Sequence, residues 1–229
     1  MGARSAVYFA PPPGSALEAF GCGWLGRALD GTPLAQPTVP GIEPARLVEI
    51  TRSPRHYGFH GTLKAPFALV DGRAQDALDE AVEAFARQCS PFEIALKVGS
   101  LSGFIALVPA GPSAALQELA ADCVEAFEAF RAPPDDAEIA RRRASGLTPR
   151  QDRHLLRYGY PYVLDDFRFH MTLTERLQPP ERDKVLAILA ERAAPLCAEP
   201  LTIDAIAIFE QPSRKAAFTL RRRFRFARA

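Results

Sequence analysis

Short stretches of the chain alternate apolar and polar residues, a pattern that predicts β-strands. Other stretches repeat apolar residues every three or four positions, which predicts helices with one buried face. Strands are expected at residues 4–10, 57–70, 92–99, 103–109, 167–174, 201–209 and 216–226. Helices are expected at residues 15–29, 45–51, 73–88, 112–130 and 180–194. The chain therefore mixes the two kinds of element, as an α+β protein does.

The same order of elements occurs twice along the chain. Strand, helix, strand and strand follow one another over residues 57–109 and again after residue 167. Such an internal repeat is typical of two lobes related by an approximate two-fold axis. We expect a single bilobal domain, with a first lobe at about 45–111 and a second at about 163–229. Residues 112–162 form a helical, arginine-rich insertion in this interpretation.

Each predicted lobe begins with a strand that contains the pattern His-x-Thr. The copies are His60 with Thr62 and His170 with Thr172. Because side chains alternate along a strand, the histidine and threonine of each copy share one face. Equivalent residues of two such lobes meet across the central cleft, so we expect the two imidazoles to face the same space.

Charge is nearly balanced over the 229 residues, with 28 Lys and Arg against 27 Asp and Glu. A net charge of +1 gives no global field for gripping long nucleic acid, whose binding depends on many phosphate contacts. We therefore expect a small anionic partner that is met locally. The hydrophobic fraction of 48% is ample for a core, and the sequence does not indicate an oligomeric state.

The four cysteines are far apart and include no C-x-x-C pair, which argues against a zinc site or a redox motif. Free thiols in a reducing cytoplasm are the favoured interpretation, although an even number of cysteines is also compatible with disulfides. No stretch approaches the ~20 apolar residues of a membrane span. The apolar run before Pro11 is too short for a signal peptide. We expect a soluble cytoplasmic protein with no membrane partner.

Two facing imidazoles can carry out acid–base chemistry near neutral pH. One accepts a proton from the water that attacks a cyclic phosphodiester, and the other protonates the departing sugar oxygen. Thr62 and Thr172 are placed to donate hydrogen bonds to the phosphoryl oxygens, where charge builds up. This chemistry needs no metal ion and no other cofactor, and we expect none. Which histidine is the acid stays open.

Two basic residues share the motif faces, Lys64 in the first copy and Arg168 in the second. Both are candidates for holding phosphate, and an ion pair at the rim of the cleft is the alternative for each. Tyr57 and Tyr160 are candidates for lining the pocket, the alternative being tyrosines that pack in the core and expose only the hydroxyl.

Arg142 belongs to the arginine-rich insertion and is a candidate for binding a second anionic group of the substrate. The alternative is a solvated helix face with i, i+4 pairs such as Glu138 with Arg142. His56 and His154 have no partner in the repeat, and we expect a loop or rim position for the first and a surface position for the second. The arginines of residues 221–225 resemble a nucleic-acid patch, but alternation favours a last strand with charged outward side chains.

Residues 57–64 and 167–174 resemble the motifs of the two-histidine (2H) phosphoesterase superfamily. More narrowly, the chain resembles the branch found in bacterial phosphonate-utilisation operons. Further similar stretches lie at residues 11–15, 24–26, 131–134, 146–151 and 158–162. One departure is Gly61, where relatives often have alanine; it is expected to point away from the catalytic face.

The resemblance implies a bilobal α+β fold, in which two antiparallel sheets line a central cleft and helices lie outside. It also implies that His60, Thr62, His170 and Thr172 are the catalytic set. A metal-independent cyclic phosphodiesterase follows, and the phosphonate association suggests a small ribose cyclic phosphate such as 5-phosphoribosyl 1,2-cyclic phosphate. The alternatives are a 2′,3′-cyclic phosphodiesterase acting on RNA ends or nucleotides, and a non-catalytic module that binds a nucleotide or phosphosugar.

Overall fold

Residues 2–227 are described by a computed structural model, and they contain nine strands and eight α-helices. The strands are β1 (Arg4–Phe9), β2 (Gly61–Phe67), β3 (Phe92–Ile94), β4 (Leu96–Leu101), β5 (Phe104–Pro109), β6 (Met171–Thr172), β7 (Leu201–Ile203), β8 (Ala205–Gln211) and β9 (Thr219–Arg225). The helices are α1 (Ala16–Leu25), α2 (Pro44–Ile50), α3 (Arg52–Tyr57), α4 (Gln75–Ala86), α5 (Ala114–Ala126), α6 (Asp136–Arg143), α7 (Pro149–Tyr158) and α8 (Pro179–Cys197).

Several helix boundaries follow from local chemistry. Ser15 caps α1 by accepting a hydrogen bond from the backbone N–H of Glu18. The helix ends at Leu25, four residues before the expected end at 29, and the following Gly26, whose φ of 72° is left-handed, forms its C-cap. Helix α3 was not expected, because its residues have no apolar periodicity; Pro54 is its buried residue.

Antiparallel pairs join seven strands of residues 2–227 into one sheet with the order β4-β5-β6-β2-β1-β8-β9. The short strands β3 and β7, which occupy equivalent places in the two repeats, pair with each other. The expected α+β fold with antiparallel sheets is confirmed. The two sheet halves are continuous, however, because Gly61 of β2 pairs with Met171 of β6.

The two halves of the sheet exchange their motif strands. The hairpin β4–β5 from the first repeat pairs with β6, which follows the second histidine. Strand β2, which follows the first histidine, lies in the half that contains the second hairpin, β8–β9. Each spatial half thus combines both repeats, and the boundaries at about 45–111 and 163–229 do not delimit the halves of the sheet.

Helices α4, α5 and α8 pack on strands of the large sheet. Val7 and Ile208 are paired across β1 and β8 and are fully buried. On the opposite face of β1, Tyr8 is paired with Thr62 of β2. Because alternation separates Val7 from Tyr8, the face of Tyr8 and Thr62 is the one turned away from Val7.

The second motif strand is shorter than residues 167–174, because β6 covers Met171 and Thr172. The chain around it is held by other elements. The indole N–H of Trp24 donates a 2.9 Å hydrogen bond to the carbonyl of Leu173, and the backbone N–H of Leu173 donates to Ile105. These bonds fix the backbone next to Thr172 without a long ladder.

No helix within residues 2–227 is both long and apolar enough to cross a membrane. In the same described part of the chain the four cysteines are free thiols; Cys22 and Cys123 are buried, and Cys89 and Cys197 are partly buried. Burial raises the pKa of the Cys22 thiol to about 11, so this thiol is protonated at neutral pH.

Candidate active site

The structure brings both His-x-Thr pairs to one cavity of about 840 Å³, named here the main cavity. Its lining includes His60, Thr62, His170 and Thr172. The first pair comes from the start of β2 and the second from the start of β6, which are neighbours in the sheet. The exchange of motif strands therefore places the two imidazoles beside the same space.

Both imidazoles are held by a bond to the backbone two residues earlier. The Nδ1 atom of His60 lies 2.9 Å from the carbonyl oxygen of Gly58, and Nδ1 of His170 lies 2.7 Å from that of Arg168. A carbonyl oxygen can only accept, so each ring donates from Nδ1. In the neutral state each ring therefore carries its lone pair on Nε2, the atom that can take up a proton.

Gly58 makes the first of these bonds possible. Its φ of 78° and ψ of 172° belong to a region that side chains with a Cβ rarely adopt. The conformation ends α3 and turns the Gly58 carbonyl towards His60. The glycine at this position thus helps to fix the tautomer of His60.

His60 lies in a more enclosed environment than a surface histidine. Its ring stacks on Tyr8, and its Nε2 atom lies 3.1 Å from Oγ1 of Thr62, whose hydroxyl donates to the unprotonated nitrogen. Burial above all, and to a lesser extent the nearby His170, lower the pKa of His60 to about 4, although the bond to Gly58 acts in the opposite direction. His60 is therefore a neutral base in the free protein at pH 7.

His170 has a different neighbour, the ring of Phe104, at a centroid distance of 5.4 Å. Burial lowers its pKa too, opposed by the hydrogen bond with the Arg168 carbonyl. Desolvation thus lowers the pKa of both histidines. The two sites differ in their aromatic partners, which breaks the equivalence that the repeat suggested.

Lys64 does not reach the cavity, and the expectation that it holds phosphate is wrong. Val7 pairs with Lys64 whereas the next residue, Tyr8, pairs with Thr62, so a β-bulge inserts one extra residue into β2. A bulge reverses the alternation, and Lys64 points to the helix-covered face. There its ammonium group donates to the carbonyl of Val124 at 2.7 Å and pairs with Glu128 at 2.8 Å.

Arg168 is exposed and lies beside a second cavity of about 400 Å³. The two cavities share His170, Thr62 and Tyr160 as lining residues. We name the second one the aromatic cavity for its four aromatic side chains, which are Phe104, Tyr160, Tyr162 and Phe167.

The other three candidates line the main cavity. Tyr57 stacks on Phe218 and exposes 37% of its surface. Tyr160 contributes to both cavities, and the guanidinium of Arg142 lies 4.8 Å from the centroid of its ring. Arg142 also pairs with Glu138, which is the i, i+4 pair expected in the alternative interpretation of the insertion. The residue therefore lines the cavity and has a partner within its own helix.

Some cavity residues were not expected from the sequence. Arg4 and Tyr8 come from β1, and Arg214 comes from the turn between β8 and β9. The alternation of β1 indicated that Arg4 and Tyr8 share a face, but the strand contains no motif that assigns it to the cleft. Arg176, which lies just after the second motif, lines both cavities.

The remaining histidines have supporting positions. His56 lines the main cavity, in agreement with a rim position, and its Nε2 atom accepts a hydrogen bond from the amide of Gln211 at 3.0 Å. His154 was expected at the surface but exposes 13% of its side chain, with Nδ1 3.5 Å from the carboxylate of Asp166. Its place on the inner side of α7 explains the difference.

The C-terminal arginines form strand β9, and each has an acidic partner. Arg221 pairs with Asp79 and Arg222 with Glu83, both on α4. Arg223 pairs with Asp204. The strand interpretation is confirmed, and these side chains bind their own protein.

Among residues 2–227, no three His, Cys, Asp or Glu side chains are grouped in a way that would hold a metal ion.

A family model described as "Protein of unknown function (DUF1045)" matches residues 62–219. The matched segment begins at Thr62 and contains the whole second motif.

Two curated bacterial proteins are similar in sequence, and both are named Ribose 1,5-bisphosphate phosphokinase PhnN. The protein from Janthinobacterium sp. (strain Marseille) is 39% identical over 230 residues, which cover 98% of this chain and 51% of that protein. The protein from Laribacter hongkongensis (strain HLHK9) is 35% identical over 218 residues, which cover 95% of this chain and 50% of that protein. The chain thus spans about half the length of these relatives.

Two solved structures are similar along their full length. The crystal structure of E. coli LigT complexed with 3′-AMP is 12% identical, with a TM-score of 0.45 and 100% of both chains covered. A crystal structure described as a phosphoesterase is 13% identical, with a TM-score of 0.44 and the same coverage.

Proposed function

The chain belongs to the DUF1045 family, and from that premise we propose that it is a metal-independent cyclic phosphodiesterase acting on a small ribose cyclic phosphate. The observation that carries this proposal is the matched pair of imidazoles in the main cavity. Each donates from Nδ1 to a backbone carbonyl and keeps Nε2 for proton transfer. One such ring supplies the base and the other the acid of a hydrolysis.

The proposed reaction consumes one water molecule. The base takes a proton from water while the water oxygen forms a new bond to phosphorus. The bond from phosphorus to one sugar oxygen breaks, and the acid gives its proton to that oxygen. The product is a phosphomonoester with a free sugar hydroxyl, and the two histidines end with exchanged protonation states. A return proton transfer through solvent resets them.

We assign the base to His60 and the acid to His170. The burial that lowers the pKa of His60 to about 4 keeps its Nε2 atom free to accept a proton at pH 7. His170 has to gain a proton before it can act as an acid. A bound phosphodiester anion beside its ring favours the protonated form and raises its pKa on binding.

Thr62 and Thr172 are proposed to bind the phosphoryl oxygens. Both line the main cavity. In the free protein the Thr62 hydroxyl donates to His60, a bond it can exchange for one to the substrate. Donors aimed at developing charge contribute about 10²- to 10³-fold in rate.

The ribose part of the proposal has support from the curated relatives, whose name refers to a phosphorylated ribose. That name also describes a kinase. The 229 residues of this chain contain no G-x-x-x-x-G-K-[ST] sequence, the loop with which P-loop enzymes hold nucleotide phosphates. We therefore propose hydrolysis in phosphonate metabolism for this chain, with 5-phosphoribosyl 1,2-cyclic phosphate as the candidate substrate and the cytoplasm as its location.

A second candidate substrate is a 2′,3′-cyclic nucleotide. The aromatic cavity favours it, because Tyr160 and Phe104 beside His170 offer surfaces on which a base can stack. An RNA end is less favoured, since the arginines of β9 already have acidic partners.

The test is a product assay on purified protein with ribose 1,2-cyclic phosphate, its 5-phosphate and the four 2′,3′-cyclic nucleotides, each with and without chelator. Phosphomonoester formation that survives chelation and is lost in His60→Ala and His170→Ala is the expected result. Arg143→Gln, which removes an exposed charge paired with Asp152, is the control variant. Tight binding of a cyclic phosphate without any product would instead identify a binding module, and near-wild-type turnover in either histidine variant would refute the mechanism.

A further inference from the structure

Three arginines from separate parts of the chain converge on the main cavity. Arg4 comes from β1, Arg142 from α6 and Arg214 from the turn between β8 and β9. Partial burial and, to a lesser extent, the nearby Arg214 lower the pKa of Arg4, as expected for guanidinium groups gathered in one cavity. Like charges in such a place repel each other unless an anion lies between them.

The acidic groups near these arginines do not balance them. Glu138 pairs with Arg142 at 3.3 Å and with Arg214 at 3.2 Å, and it also pairs with Arg141. One carboxylate is thus shared by three guanidinium groups. Arg4 lies beside this cluster and donates to the neutral amide oxygen of Gln211 at 2.8 Å.

Two nitrogen atoms of the cluster lack a partner. The Nε atoms of Arg142 and Arg214 are buried and make no hydrogen bond to any of residues 2–227. A buried N–H without an acceptor is unfavourable, so a cluster with two of them is suited to an incoming acceptor. A phosphate group carries several acceptor oxygens and fits two guanidinium groups at once.

The cluster lies away from the histidines along β1. Tyr8 stacks on His60, whereas Arg4 is four residues earlier on the same face of the strand. Four residues of strand span about 13 Å between Cα atoms. The arginines and the imidazoles therefore line different parts of the main cavity, and one ligand that binds at both carries two anionic groups joined by a linker.

We propose that Arg4, Arg142 and Arg214 form a subsite for a second phosphate group, a phosphomonoester carried by the substrate at a distance from its cyclic phosphate. The inference rests on the proposed function and adds to it the residues that would bind the phosphomonoester of the candidate substrate. Gln211 is a positioning residue in this subsite, because its fully buried amide binds Arg4 through oxygen and His56 through nitrogen. The cluster also explains why arginines are placed on both α6 and the β8–β9 turn.

The first test compares two substrates that differ by the second phosphate, namely ribose 1,2-cyclic phosphate with and without a 5-phosphate. The wild type is expected to favour the phosphorylated substrate in kcat/KM by at least about 10-fold, since charge-assisted bonds to phosphate are the strong kind. Arg4→Gln, Arg142→Gln and Arg214→Gln are each expected to reduce that preference by about 10- to 100-fold, mainly through KM. The control is Arg143→Gln on the same helix, which pairs with Asp152 outside the cavity and should keep the wild-type preference.

The second test separates this inference from the proposed function. Ribose 5-phosphate and ribose are titrated into the wild type and into Arg214→Gln, with binding followed by calorimetry. Binding of ribose 5-phosphate that is tighter than that of ribose, and is weakened about 10-fold or more in the variant, supports the subsite even when no cyclic phosphate is hydrolysed. Equal binding of the two sugars, or an unchanged substrate preference in all three arginine variants, would overturn it.

Discussion

The imidazole of His60 lies almost parallel to the ring of Tyr8, with the ring centroids 3.7 Å apart and 19° between the planes. Tyr8 is itself buried and contacts Phe209 and Phe218. The bond from Nδ1 to Gly58 fixes the rotation of the imidazole, and the stack fixes its plane. Together they hold Nε2 in one direction before any substrate arrives.

We expect Tyr8→Leu to lower kcat by about 10- to 100-fold, because a small displacement of a catalytic group has an effect of that size. Tyr8→Phe keeps the stacking surface and should stay close to the wild type. Steady-state kinetics on the best substrate, with circular dichroism as the folding control, checks this. Equal loss in both variants would mean that the tyrosine hydroxyl, rather than the stack, is what matters.

The assignment of acid and base predicts different responses to the leaving group. An aryl phosphodiester that releases 4-nitrophenol needs little help from an acid, so His170→Ala should hydrolyse it within about 10-fold of the wild-type rate. His60→Ala still lacks the base, and its rate of hydrolysis of the same substrate should be about 10²- to 10⁴-fold below the wild-type rate. Release of nitrophenol, followed by absorbance, measures both. The reverse pattern would exchange the two roles.

The depressed pKa of His60 also predicts how stability depends on pH. The unfolded chain binds a proton at this histidine below about pH 6.5, whereas the folded protein does so only below about 4. Between these values the unfolded state binds more protons, so stability falls as the pH is lowered. From pH 7 to pH 5 this group alone should remove about 2 kcal/mol from the free energy of unfolding.

Urea unfolding of the wild type and of His60→Asn at pH 7 and pH 5 isolates that contribution. The wild type should lose about 2 kcal/mol more than the variant over this interval. Equal losses in the two proteins would show that His60 titrates at its ordinary pKa in the folded state.

Lys64 is expected to affect stability rather than catalysis. Its side chain is 4% exposed and its ammonium group binds Val124 and Glu128, so Lys64→Met leaves a buried carbonyl and a carboxylate with one fewer partner. Glu128 keeps its pair with Arg131. We expect a loss of about 1–3 kcal/mol in unfolding free energy, with kcat/KM unchanged within about 3-fold. A large fall in kcat/KM at unchanged stability would restore Lys64 as a substrate ligand.

Thr62 and Lys64 show which side-chain orientations could be predicted from the sequence and which could not. Strand alternation correctly placed Thr62 on the face of the cavity, because the period of two holds within a regular strand. It failed two residues later, since the bulge depends on pairing with β1, a strand more than 50 residues away in the chain. Alternation within a strand thus predicts which face of the sheet a side chain occupies only as far as the strand is regular. It does not predict a register shift that is set by pairing with another strand.

Non-local pairing also explains why Arg4 and Tyr8 were not expected at the cavity. They become cavity residues because β1 lies between β2 and β8, an order that requires strands more than 50 residues apart to meet. The repeat predicted that the two motifs meet. It did not predict that each sheet half would combine both repeats, because an internal repeat indicates a symmetry and leaves open which hairpin each motif strand joins.

Gly61 provides a test of the junction between the two halves of the sheet. It pairs with Met171, and a Cβ atom at this position would lie 2.4 Å from the ring of Phe169, which is buried. The residue points away from the cavity, as expected, but alanine does not fit there without a shift. Since Phe169 precedes His170, that shift should also reach the second imidazole. We expect Gly61→Ala to lower the unfolding free energy by about 1–3 kcal/mol and to reduce kcat.

Gly23→Ala is the matched control, because a Cβ added at this helical position meets nothing within 4 Å. Alanine is the better helix former, so this variant should be as stable as the wild type or more so. The double variant Gly61→Ala with Phe169→Leu makes room for the methyl group by removing part of the ring. Thermal unfolding and steady-state kinetics are measured on the wild type, the two single variants and the double variant. The loss of stability in the double variant should be smaller than the sum of the losses in the two single variants. Additive losses would mean that the methyl group and the ring do not compete for the same space.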